Sequence, residues 1–289
     1  VRRLFCALGL SALVLLILRS PVLAVDWKKV ESKNLTVYSH RESLAKLALR
    51  MGEKEHERLV EFFRYEPSEK TKIYVYDDAI AFREVAPNRR VIGLARPFSS
   101  EIAVLASSGD LRSTISHELV HTIFLQSLPS LRGLPFWFVE GIAFYLSEPG
   151  LSGVDLERYA LRGDISHIDE LGEDLLPEEE GKAAAEGYLV TRFLVERYGL
   201  NKIRALALSM QKGLSFYEAL EKNTGLTEQQ LDEEWHKYGE TQKRVSSLSE
   251  LRYLGFLLIA LLAVFASVYW LIKIRRRLSV EEEDMEEDL

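Results

Sequence analysis

The chain has 289 residues, 47% hydrophobic and 28% charged, with 37 basic against 44 acidic side chains and a net charge of −7. This is the composition of a folded protein of one large or two small domains, not of a disordered, collagen-like or low-complexity one. Residues 25–250 alone hold 29 basic against 37 acidic side chains, a balance unsuited to a phosphate backbone, so nucleic acid is excluded as a partner.

In chain order, Arg2 and Arg3 precede an apolar run from Leu4 to Leu18, and Val22-Leu23-Ala24 offers small or modest residues for a cleavage site. Residues 1–24 therefore read as a secretory signal peptide, with an uncleaved signal anchor as the alternative. Val1 in place of Met suggests a bacterial or archaeal gene with an alternative start codon. Cys6 is the only cysteine. The rest of the chain thus has no disulfide, no Cys-ligated zinc and no cysteine nucleophile, and a metal there must be held by His, Asp or Glu.

Residues 25–245 read as one soluble domain. Asn34–Ser39 and Lys72–Tyr76 alternate like strands, with β-branched and aromatic residues. Between them, Arg41–Phe63 places Leu44, Leu47, Ala48, Met51, Leu59 and Phe62 at helical spacing. Asp77 and Asp78 can cap a short helix over Ile80–Val85. Val91–Leu94 and Glu101–Ala106 predict two short strands on either side of Pro97. The second is either a sheet edge, to which an extended peptide can pair, or an interior strand. Beyond Ala106 the periodicity becomes helical over Asp110–Leu125, Pro135–Leu146, Lys182–Tyr198, Lys202–Gln211, Ser215–Asn223 and Glu228–Glu240. Strands first and helices afterwards predict an α+β fold, a small N-terminal mixed sheet followed by a helical half.

After a linker over 246–253, Leu254–Ile272 is a stretch of 19 residues without a charge. About 20 apolar residues cross a bilayer core. Tyr253, Tyr269 and Trp270 lie near its ends, and Lys273, Arg275, Arg276 and Arg277 follow. The pattern predicts one transmembrane helix over 254–272, with a basic and then acidic tail, 273–289, in the cytoplasm. On this reading the protein is a single-pass protein of the cell membrane, its main domain outside the cytoplasm. The stretch from Glu281 to Leu289 reads as a solvated end.

Residues 117–121 read His-Glu-Leu-Val-His. On a helix, His117 and His121 stand on one face, one turn apart. Two imidazoles so placed can bind one zinc ion, and Glu118 beside the first can act on water at that ion. Ile115, Leu119, Ile123 and Phe124 supply the apolar positions of such a helix, with Asp110 to cap it. A catalytic zinc takes three protein ligands and leaves one position open. Eighteen residues separate His121 from Glu140, which lies within Trp137-Phe138-Val139-Glu140-Gly141-Ile142-Ala143. The interval lets the first helix end, turn at 128–133 and send back an antiparallel partner whose Glu140 faces the histidines. Gly141 has no side chain to hold those two helices apart.

HExxH with a Glu about eighteen residues later, inside W-x-x-E-G-x-A, resembles the gluzincin metallopeptidases of the thermolysin and aminopeptidase N branches. It is more similar still to the extracytoplasmic bacterial peptidase MA-like domains, and the likeness covers roughly residues 30–240. The segments Tyr188–Gly199 and Phe216–Trp235 share in it. The resemblance implies a peptidase acting on a peptide or protein substrate, with one Zn2+ held by His117, His121 and Glu140. It makes Glu118 the general base that takes a proton from water as the water attacks a carbonyl carbon. It also implies a Tyr from the helical half as donor to the oxyanion. Tyr188, after the small residues Ala183–Gly187, fits that role better than Tyr198, and His167 is a further candidate. Two departures stand out. Phe144 occupies the place of an acidic residue four after the Glu ligand, and the peptide-end anchor Gly-x-Met-Glu-Asn is missing, so aminopeptidase specificity is not implied. The competing reading is a weak or inactive peptidase-like binding module on the cell surface. Of the other histidines, His56 reads as part of a solvated helix face and His236 as a cation near the end of the last helix.

Overall fold

A computed structural model of the chain describes residues 27–87, 91–107, 110–147, 151–172, 175–176 and 179–287. The expected signal peptide, residues 1–24, lies outside them. The fold is α+β. Strands β1 (Lys28–Glu31), β2 (Leu35–Ser39), β3 (Thr71–Tyr76), β4 (Gly93–Arg96) and β5 (Glu101–Leu105) form one mixed sheet in the order β1-β2-β3-β5-β4. The pairs β2/β3 and β3/β5 are parallel, whereas the outer pairs β1/β2 and β4/β5 are antiparallel. A parallel pair needs a long crossover, supplied for β2 and β3 by α1 (Glu42–Phe63) and for β3 and β5 by α2 (Ala79–Val85) and β4.

Strand alternation sends Leu35, Val37, Ile73, Val75, Ile102 and Val104 to one face, where all are buried. The other face carries Tyr38 stacked on Tyr74 at 4.9 Å, with Trp27 edge-on to Tyr74 and Tyr76. Helix α3 (Leu111–Ser127) is capped by the Asp110 carboxylate, which accepts the Arg112 N–H. It is buried on nearly every side from Thr114 to Phe124, the mark of a central helix. The helical half follows: α4 (Phe136–Leu146), α5 (Leu151–Ala160), α6 (Glu180–Tyr198), α7 (Leu200–Gln211), α8 (Phe216–Thr224) and α9 (Glu228–Glu287). Ser215 and Glu218 form a reciprocal cap on α8.

Strand β5 lies between β3 and β4, so of its two alternatives it is the interior strand, and β4 is an edge. Other expectations need correction. Glu55 and His56 are 1% and 3% exposed, so this part of α1 is not a solvated face. Contrary to expectation, Gly141 does not face α3. It lies where α4 crosses α6, and a Cβ on it would run into the Gly187 carbonyl oxygen, just as a Cβ on Gly187 would run into that of Trp137. His236 is far from the C-terminal end of its helix, because α9 continues through 246–253 as far as Glu287.

The largest correction concerns the C-terminal segment. Among the described residues, no helix is long and apolar enough to cross a membrane. This overturns the transmembrane helix expected at 254–272, and the single-pass placement goes with it. The apolar run 254–272 lies within the single helix α9. Ile259, Phe265 and Trp270 in that run are exposed.

Candidate metal centre

Helices α3 and α4 run antiparallel in a register that pairs their inner faces turn by turn. The His117 and Phe144 rings lie 4.4 Å apart. One turn on, His121 Nε2 is 3.4 Å from Glu140 Oε1. His117 Nε2 is 3.5 Å from Glu140 Oε2, and the two imidazole Nε2 atoms are 3.0 Å apart. Spacing by four residues alone brings the two nitrogens together; the turn between the helices brings the carboxylate. Three ligand atoms within 4.8 Å of one another make His117, His121 and Glu140 a group that can hold a metal ion.

The electrostatics fit converging donors. Burial works against the Glu140 charge, but His121 and His117 outweigh it and hold the carboxyl down at about 2. Burial disfavours a charged His117 as well, yet its hydrogen bond to Glu140 raises its pKa overall. His121 falls to about 4, chiefly through burial. The Nδ1 atom of His117 is buried and has no hydrogen-bond partner.

Glu118 points toward the sheet. Its carboxyl is pushed up to about 7, first by burial and then by the Glu140 charge, against the opposing effects of His117 and a backbone hydrogen bond from Ala95. Ala95 is in β4, and Gly93 of the same strand makes room for the carboxylate: a Cβ there would strike it. The edge strand thus holds the acid that neighbours the three ligands. A backbone amide has no signature in sequence, so this contact was beyond motif reading.

A second unanticipated group frames the centre. The buried Glu55 carboxylate accepts from Arg58 Nε and Nη2 at 2.9 and 2.8 Å, and from Arg112 Nε and Nη2 at 2.9 and 2.7 Å. It also accepts from Ser116 Oγ at 3.2 Å. Arg58 Nη2 donates in addition to the Leu146 carbonyl at 2.6 Å. The cluster joins α1 to the start of α3, next to His117, and to the end of α4. Burial alone would raise the Glu55 carboxyl, but its hydrogen bonds and charge pairing with Arg112 and Arg58 hold it below the ordinary range.

Tyr188 is half-buried on α6, its ring 6.0 Å from the Arg192 guanidinium and electrostatically coupled to Tyr145 of α4. His167 is engaged with α9: its Nδ1 lies 2.8 Å from Asp232 and its ring stacks on His236 at 5.0 Å.

No family model and no curated protein matches the chain.

Proposed function

We propose that the chain is a zinc-dependent peptidase of the gluzincin kind. The observation that carries this reading is the triangle of donor atoms, with sides of 3.0, 3.4 and 3.5 Å, next to a buried carboxylate. Ligands placed about 2.05 Å from a tetrahedral ion stand about 3.3 Å from one another, so this triangle is close to one face of such a tetrahedron. Two imidazoles and one carboxylate are also the donor set of a hydrolytic zinc site with a fourth position open. The residues present fit the ion: His117 and His121 would bind through Nε2 and Glu140 through its carboxylate.

Bound there, zinc would supply Lewis acidity, which draws the pKa of water toward about 7. Glu118 takes the proton of the attacking water and later delivers it to the leaving amine. The Ala95 amide and the space at Gly93 fix the direction from which it does so. Tyr188 is assigned as donor to the developing oxyanion; support comes from the sequence resemblance and from the close approach of α6 to α4 at Gly187.

The test pairs metal content with turnover of a broad peptide library. His117→Ala, His121→Ala and Glu140→Ala should each lose the metal. Glu118→Gln should keep it and lose hydrolysis, because the base goes and every ligand stays. Hydrolysis by Glu118→Gln near the wild-type rate would refute the mechanism, and a zinc-loaded wild type without turnover would favour a binding module.

A further inference from the structure

We propose that the metal centre holds its ion loosely, because Phe144 packs on His117 without offering the hydrogen-bond acceptor that would fix this ligand, so that zinc supply sets how much of the chain is loaded. This concerns regulation of the same site and rests on the peptidase reading, from which the identity of the ion comes.

His117 turns Nε2 toward the triangle of donors, 3.0 Å from His121 Nε2 and 3.5 Å from Glu140 Oε2. A neutral imidazole keeps one N–H and one lone pair, so binding a cation through Nε2 puts the proton on Nδ1. The two nitrogens stand on opposite sides of the ring, and Nδ1 is directed away from the triangle. There it is buried, and among the described residues it has no hydrogen-bond partner. The Phe144 ring lies on this imidazole at 4.4 Å, tilted by 59°, and is hydrocarbon only. A metal-bound histidine almost always donates its second N–H to a carboxylate, a backbone carbonyl or water, which fixes the ring and raises its basicity. Loss of such a partner typically weakens metal binding about 10- to 100-fold.

Polar groups along the same helix are engaged elsewhere. Ser116 Oγ donates to Glu55, Thr122 Oγ1 donates to the Glu118 carbonyl, and the Glu118 carboxylate accepts from Ala95. Nor does the core require an apolar side chain at position 144. Phe144 is only half-buried, and it lies outside the apolar cluster to which Ile142, Ala143 and Leu146 belong. A polar residue at this position is therefore compatible with the fold.

The experiment measures the zinc affinity of the full chain by competition with a chelator of known affinity, at fixed pH and ionic strength. Phe144→Glu and Phe144→Gln supply an acceptor, one charged and one neutral, whereas Phe144→Leu keeps the position apolar. Both polar variants should bind zinc more tightly than wild type, by roughly 10- to 100-fold for Phe144→Glu, and Phe144→Leu should stay near wild type. Phe144→Gln decides if Phe144→Glu fails to fold. A gain in Phe144→Glu with none in folded Phe144→Gln would be charge attraction alone and overturns the proposal. Unchanged affinity in the folded polar variants, or an equal gain in Phe144→Leu, overturns it too and leaves the metal centre standing. A wild-type chain that binds no zinc overturns the peptidase reading, and the proposal with it.

Discussion

Replacing Glu55 by Ala tests whether the frame around the metal centre is held by one buried carboxylate. The substitution removes the acceptor of five hydrogen bonds from Arg58, Arg112 and Ser116. Removing one partner of a buried ion pair typically costs about 3–5 kcal/mol. Here the arginine side chains are 37% and 46% exposed and regain water, which lowers the expected loss to about 2–3 kcal/mol. For a domain of this size each kcal/mol moves Tm by about 2–4 °C, so a fall of roughly 4–12 °C is expected. Glu55→Gln should fall between, since its amide oxygen still accepts. Urea unfolding followed by circular dichroism gives the free energy directly. The pH dependence adds a second check. The folded carboxyl lies below its ordinary value of 4.5, so between those two pKa values the unfolded state binds more protons. The stabilisation is complete above pH 4.5 and is lost as pH falls through the folded value. The gap between wild type and Glu55→Ala should therefore be widest near neutrality and narrow in acid. A variant within about 0.5 kcal/mol of wild type at neutral pH, the range of ordinary surface substitutions, would refute the reasoning.

Three further outcomes are expected. Gly93→Ala sets a methyl against the movable end of the Glu118 side chain, so metal content should hold while turnover drops on the order of 100-fold, the effect of a misplacement near 1 Å; unchanged turnover would remove β4 from the mechanism. Gly187→Ala sets its methyl against the Trp137 backbone and should cost about 1–3 kcal/mol as α4 and α6 part, read as a shift of the urea midpoint; an unshifted midpoint would contradict the close crossing. Tyr188→Phe should keep fold and metal but lose on the order of 100-fold in kcat with KM little changed, and a rate within about threefold of wild type would send the oxyanion role elsewhere.

The three residues that could hold a metal ion were legible in sequence because their geometry is local. His117 and His121 need only a helix, and Glu140 needs only a short turn between two helices. The α+β order was legible for a similar reason, since KIYVY and NLTVYS alternate plainly. Strand β1, with the sequence KKVE, hid its strand character because three of its four residues are charged and exposed. Helix α5 escaped notice because Gly153, Val154 and Ser152 are poor helix formers. His56 was misread because the charge density around it in sequence resembles a solvated face, while the arginine that completes the cluster on its neighbour Glu55, Arg112, lies 57 residues away. Gly141 announced a close approach but was assigned to the wrong neighbour, the HExxH helix: its actual partner, α6, depends on tertiary packing. The apolar run at 254–272 shows the same limit, since its composition suggested a bilayer and the described helix does not meet the requirement.

In the proposed mechanism, ligand placement and base placement belong to different interfaces of one helix. The metal donors come together only if α3 and α4 keep their register, which depends on the α4–α6 crossing at Gly141 and Gly187 and on the Arg58 bond to the end of α4. The direction of Glu118 depends instead on α3 against the sheet edge, through Ala95 and Gly93 of β4. Disturbance at the first interface should therefore lower metal content and let turnover fall with it. Disturbance at the second should lower turnover while the metal stays. Helix α3 belongs to both interfaces, which accounts for its burial on nearly every side and for the three donors to Glu55 that lock its start to α1.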